Sequence, residues 1–285
     1  MYFKHFEFKE APFNLTPNSK FFFEGHQHKE ALDSLLYAIN QRKGFIVITG
    51  EIGSGKTTVS RALINKLDKN TEVALITNTH LNSKDLLMTL LEDLEIEFQQ
   101  RYSKSKLLSC LNNYLLAQAN QGRNIVLIID EAQNLKPTVL EEVRMLSNLE
   151  TETHKLIQIV LIGQPELKQK LGLNSLEQLR QRVAIYFHLS PLNFEDMKEY
   201  ILYRLKIASQ SDRQYFTPEA LDFVYQFSKG VPRLVNQICD FALLTGYVDG
   251  VTIIDGHIMQ EVIGESPMKL LTMGKNDPDQ LNLKY

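Results

Sequence analysis

The chain has 285 residues, 44% hydrophobic and 23% charged, with 14 glycines, 9 prolines and a formal net charge of −3. These are globular values that fit one large domain plus a small one, and they exclude a low-complexity chain outside the last twenty residues. The slight negative balance gives no global field to attract nucleic acid or anionic lipid, and the longest apolar runs, residues 45–48 and 125–129, are far too short to span a bilayer.

Taken in chain order, the opening MYFKHFEFKE lacks the apolar run and small-residue cleavage site of a secretory leader. His26 and His28 stand close together and read as surface residues rather than metal ligands. Five short apolar, β-branched runs follow, at residues 45–49, 73–77, 125–130, 157–162 and 184–189. Each is nearly continuous in hydrophobicity, the pattern of strands covered on both faces. Between them lie stretches of helical period at 56–67, 83–94, 104–121 and 138–149. Strand and helix in alternation predict an α/β fold: a five-stranded parallel sheet flanked by helices. After Ser190 and Pro191 the strand runs stop, and helices alone are expected at 194–209, 218–228, 232–246 and 256–263. Thr217 and Asp255 occupy N-cap positions and Pro218 a first-turn position. We therefore expect an α/β domain over 1–190, a small helical domain over 191–265 and a tail over 266–285. Cys110 and Cys239 fall in apolar helical patterns and read as buried free thiols in a reducing compartment.

The chemistry concentrates behind the first strand. Gly50, Glu51, Ile52, Gly53, Ser54, Gly55, Lys56 and Thr57 satisfy G-x-x-x-x-G-K-[ST], with Thr58 continuing into the helix. Glycines let the backbone fold back so that successive N–H groups point at phosphate oxygens, and the helix N-terminus adds its positive dipole end. In this reading Lys56 neutralises the β- and γ-phosphates and the Thr57 hydroxyl ligates Mg²⁺. The preceding strand FIVIT and the following amphipathic helix supply the context that such a motif needs. The third strand ends in Asp130 and Glu131. Asp130 is placed to hold Mg²⁺ beside the loop, and Glu131 to orient and polarise an attacking water.

With Asp130, Glu131, Ala132 and Gln133, the segment IVLIIDEAQNL resembles the Walker B segment of AAA+ ATPases, specifically the ExeA/GspA-type secretion ATPases. The likeness extends over about residues 1–265. It includes FEFKEAPFNLTPNSKFF at 6–22, His28, Glu30, Ala31 and Leu35 ahead of the phosphate loop, LIGQPEL at 161–167, LRQRV at 179–183 and GVPRLVNQICD at 230–240. The resemblance implies further roles. Gln164 corresponds to sensor 1, although the wider superfamily more often has Asn, Ser or Thr there. Arg180 and Arg182 precede the fifth strand where an arginine finger acts on a neighbouring subunit's nucleotide, and Arg182 is the better match. Arg233 corresponds to sensor 2, and Phe13 and Asn14 lie in a segment expected near the adenine.

Longer members of this family carry a membrane span and a periplasmic peptidoglycan-binding region after the ATPase. The present sequence ends before either, as expected of a short cytoplasmic homologue or of a shortened form of a longer protein, so peptidoglycan binding is not carried over. The resemblance implies a cytoplasmic ATPase, associated in one reading with the inner face of the membrane. It would form a ring or filament, bind ATP and ADP with Mg²⁺, and meet an envelope-assembly partner. The alternative is a DNA-binding ATPase of the TniB/TnsC transposition type, for which Lys66, Lys69, Lys104, Lys106, Lys168 and Lys170 offer cations but no dense stripe.

Overall fold

The computed structural model describes residues 2–16, 18–152, 155–211 and 213–264. The tail expected over 266–285 lies outside them. The described residues fall into two compact units, one within His26–Ile52 and Lys56–Ser190, the other within Met1–Gly25, Gly53–Gly55 and Pro191–Tyr285.

The first unit is built in the order α1 (His26–Asn40), β1 (Phe45–Gly50), α2 (Lys56–Lys66), β2 (Thr71–Ile76), α3 (Ser83–Asp93), α4 (Lys104–Asn120), β3 (Asn124–Ile129), α5 (Pro137–Leu146), β4 (Gln158–Gly163), α6 (Pro165–Leu171), α7 (Glu177–Arg180) and β5 (Val183–Leu189). The sheet runs β2-β3-β4-β1-β5 and every pairing is parallel. Its three inner strands alternate between two buried faces. Phe45, Val47, Leu127, Ile129, Ile159 and Leu161 join one core with the leucines of α3 and α4, while Ile46, Ile48, Val126, Ile128, Val160 and Ile162 are equally enclosed. This is the continuous apolar signature that the sequence carries at these three strands.

The edge strands differ from expectation. β5 alternates half-buried and exposed positions until Leu189, and β2 buries only Ala74 and Ile76. A strand at the rim has one neighbour, so part of its apolar run faces outward. Local signals fix the helix starts. Asn82 and Asp85 form a reciprocal capping box on α3, the Ser103 side chain caps α4, and Pro137 opens α5. His28 is buried rather than superficial, because it shares the inward face of α1 with Ala31, Leu32 and Leu35.

The second unit contains α8 (Phe194–Ala208), α9 (Pro218–Ser228), α10 (Pro232–Val248) and α11 (Gly256–Gly264). The Thr217 hydroxyl accepts from the Ala220 N–H at 3.2 Å and Asp255 Oδ1 from the Ile258 N–H at 3.1 Å, so both residues cap as their positions imply. Residues 1–25, expected with the sheet domain, pack here instead. Phe6, Phe8 and Phe13 are enclosed in one core with Tyr215, Phe216 and the apolar faces of the four helices. Aromatic side chains bury large areas, so this short irregular segment is held where those rings find partners. Cys239 lies in the same core and Cys110 is half-buried on α4; neither forms a disulfide. No described helix is long and apolar enough to cross a membrane.

Candidate functional site

β1 ends at Gly50 and α2 begins at Lys56, so the glycine-rich segment is the turn that joins them. Gly53 and Gly55 take φ values of 81° and 97°, a left-handed conformation that glycine adopts without steric cost. Lys56 is 6% exposed and its ammonium donates to the carbonyls of Gly50 at 2.8 Å and Glu51 at 2.9 Å. The cation is thus held inside its own loop. Ser54 is buried, Thr57 and Thr58 are half-buried, and Glu51 and Ile52 face outward.

The two halves of the motif meet in space. The Thr57 hydroxyl donates to Asp130 Oδ2 at 3.3 Å, across 73 residues of sequence. The register explains it: β3, β4 and β1 are parallel neighbours, so the carboxyl end of β3 and the loop after β1 share one end of the sheet. Burial pushes the Asp130 carboxyl up from its ordinary value and the nearby Glu131 charge adds to this; the Glu131 N–H, the Thr57 hydroxyl and Lys56 oppose it. Burial likewise pushes the Lys56 ammonium down, against the pull of Glu131, Asp130, Glu51 and Glu166.

Glu131 itself adopts φ 53° and ψ 36°, uncommon for a residue with a side chain. Its Oε2 accepts from Gln133 Nε2 at 2.5 Å and from Gln164 Nε2 at 3.2 Å. Gln164, at the end of β4, therefore does meet Glu131. Gln133 was not singled out as a site residue, and its standing two places after Glu131 is the one signal that could have found it.

A magnesium ion fits this donor set. Thr57 and Asp130 present hard oxygen donors side by side, and no group of three or more His, Cys, Asp or Glu able to hold a metal occurs among the described residues. Mg²⁺ suits such a site, because it keeps several waters and takes phosphate oxygens rather than an all-protein cage.

The remaining candidates lie elsewhere. Arg182 is half-buried, with Nη1 donating to Ser147 Oγ at 2.9 Å, and the exposed Arg180 donates to the Leu171 carbonyl at 3.2 Å. β5 pairs with β1 from Val183 opposite Phe45 to Leu189 opposite Gly50, so both arginines precede the end of the sheet remote from the phosphate loop. In the second unit, the exposed Arg233 stands in the first turn of α10 and its N–H donates to the Gly53 carbonyl at 3.3 Å. Phe13 is 1% exposed, edge-on to Phe216, which is the packing of a core anchor, while Asn14 is exposed and turns its Oδ1 to the Thr16 N–H at 3.0 Å.

Comparison with known proteins bears on the domain and the fold. Residues 39–171 match the AAA domain family. Over 250 residues, 88% of this chain, the sequence is 42% identical to general secretion pathway protein A of Aeromonas hydrophila. Residues 39–171 therefore carry an AAA domain, and the chain as a whole is similar to that secretion protein. The aligned part is 46% of the Aeromonas protein, so the chain spans about half the length of that relative. Among solved structures, the ORC2 protein of Aeropyrum pernix is similar with a TM-score of 0.68 at 14% identity, over 94% of this chain and 75% of that one. The RuvB Holliday junction branch migration motor of Thermotoga maritima has a TM-score of 0.56 at 18% identity, over 84% and 69%. These two likenesses concern the fold, which is that of the AAA+ P-loop proteins.

Proposed function

We propose that the AAA domain is an ATPase that binds ATP with Mg²⁺ and hydrolyses it to ADP and phosphate, working as a switch or motor in assembly of an envelope secretion, pilus or polysaccharide-export system. The observation that carries the chemistry is the Thr57–Asp130 hydrogen bond, which brings the phosphate loop and the strand-end carboxylate into one site. The loop N–H groups and Lys56 would take the phosphates, and Thr57 and Asp130 would hold the metal. When bound there, Mg²⁺ would supply charge neutralisation for the phosphates. Glu131 would accept a proton from the attacking water, Gln164 would meet the γ-phosphate or that water, and Arg233 would contact the nucleotide from the helical lid. The segment holding Phe13 and Asn14 would approach the adenine.

The biological setting rests on the Aeromonas relative. The likeness supports an envelope-assembly partner, and a cytoplasmic chain associated with the inner face of the membrane is part of the same proposal. The DNA-binding alternative draws less support, since two of its cations are already engaged. Lys104 pairs with Glu142, and Lys170 donates to the carbonyls of Gln133 and Leu135.

Equilibrium binding and phosphate release test the reading. The wild-type chain should bind ATP more tightly with Mg²⁺ than without it and release phosphate. Lys56→Ala should lose tight binding, because the loop loses its ammonium. Glu131→Gln should keep ATP bound while turnover falls about a hundredfold, the scale of a lost general base. Retention of micromolar ATP affinity by Lys56→Ala would refute the phosphate-loop assignment.

A further inference from the structure

Between Glu131 and Gln164 stands a residue with no assigned role. The Gln133 amide is used at both ends: Nε2 donates to Glu131 Oε2 at 2.5 Å, and Oε1 accepts the backbone N–H of Gln164 at 3.0 Å. The two ends differ chemically, so the partners fix which way the amide points, with its N–H toward the carboxylate and its carbonyl toward the amide hydrogen. Gln164 closes the ring by donating its own Nε2 to the same Glu131 oxygen at 3.2 Å. The main chain of Gln133 is pinned as well, because the Lys170 ammonium donates to its carbonyl and to that of Leu135. Glu131 Oε2 thus receives two amide donors, whereas Oε1 receives none among the described residues.

The room for this amide comes from a glycine. A Cβ on Gly163 would lie 2.6 Å from Gln133 Oε1 and 3.0 Å from Leu167 Cδ2. The first of these is a steric overlap with the free end of a side chain, so a substitution there displaces the amide rather than the strand.

We infer that Gln133 is a positioning residue for hydrolysis: it clamps one oxygen of Glu131 and the main chain of Gln164 into a single unit, which presents Glu131 Oε1 to the attacking water. The inference rests on the ATPase reading and concerns how its base is aimed. Gln133 touches neither nucleotide nor water in this scheme and acts through Glu131. Loss of the clamp leaves ATP binding intact and lets the carboxylate rotate away from the water, a defect in kcat rather than in KM.

The experiment is steady-state ATPase kinetics on the full chain carrying Gln133→Leu, Gly163→Ala, and each of these combined with Glu131→Gln. Gln133→Leu should lower kcat about tenfold or more while KM for ATP stays within about twofold. Gly163→Ala leaves the amide chemically intact and only moves it, and it should give the same loss. In the Glu131→Gln background neither change should cost more than about twofold, because residues that act through one another are not additive. A wild-type kcat in both single variants overturns the inference, and so does a full multiplicative loss in the Glu131→Gln background. A wild-type chain without ATPase activity overturns the proposed function and this inference together, whereas an active wild type with additive variants overturns the inference alone.

Discussion

At the scale of single residues, the site holds two buried charges that would each be more comfortable neutral. Asp130 is 7% exposed and Lys56 6%, and burial moves their proton affinities in opposite directions. Such tension is tolerated where a ligand of opposite charge completes the balance. The pH dependence follows with a definite sign. Burial raises the Asp130 carboxyl above the ordinary carboxylate range, so the folded chain holds that proton to higher pH than the unfolded chain does. Its contribution to stability therefore falls as pH rises from the ordinary carboxylate range toward the raised one. Asp130→Asn removes the ionisation altogether. Urea denaturation of the ligand-free chain should show the variant gaining on the wild type as pH rises above about 4, with the Mg²⁺-dependent part of ATP affinity lost. An unchanging stability difference across that range would mean that the carboxylate is not strained by burial. The residues of this pair were legible in the sequence, since spacing and strand context define both motifs. Gln133 was not, because its role depends on a hydrogen bond to Gln164 across 31 residues.

At the scale of elements, the inner strands and longer helices could be read directly, since burial on both faces or along one stripe writes a period into the sequence. The rim strands were legible as strands but not as rim strands, and the placement of the N-terminal segment was not legible. Apolarity does not distinguish an inner strand from an edge one, and residues 1–25 have no period at all. What fixes them is distant in sequence. Arg204 is 7% exposed and its guanidinium donates to the Pro12 carbonyl at 2.6 Å, to Asn14 O at 3.2 Å and to Tyr200 Oη at 2.9 Å. It also lies over the rings of Phe21, at 4.9 Å, and Tyr200, at 5.4 Å. Among the described residues it has no carboxylate partner, so carbonyl oxygens and ring faces offset the cost of burying the charge. Arg204→Leu leaves the Pro12 and Asn14 carbonyls without their donor and should cost about 2–5 kcal/mol. Urea denaturation gives the magnitude, and limited proteolysis should cut first within residues 1–25. A variant as stable and as protected as the wild type would show that the aromatic core alone holds the segment.

At the scale of the whole molecule, the position of Arg182 bears on whether one chain makes a complete site. Phe45, paired to Val183, and Gly50 at the phosphate loop are the two ends of the six-residue strand β1. At about 3.3 Å per residue, the sheet alone places Arg182 some 15–20 Å from that loop. Arg182 is meanwhile held by Ser147, on the far end of the same unit. An arginine finger acting on a neighbouring chain's nucleotide is consistent with this placement, because a guanidinium stays charged and offers forked donors to the developing phosphoryl charge. If Arg182 acts so, an isolated chain hydrolyses ATP poorly, and specific activity rises with protein concentration as chains associate. Arg182→Ala should bind ATP with wild-type affinity and be inactive by itself. Mixed with Glu131→Gln, it should recover part of the activity, since some interfaces then join an intact Glu131 site to an intact Arg182. Loss of a helix-end contact to Ser147 would lower activity without any such recovery, which separates a local structural role from a shared site. Phosphate release measured across a dilution series and across mixing ratios reads both effects. Specific activity that is independent of concentration, with no recovery on mixing, would show that each chain works alone or that Arg180 or another group supplies the charge.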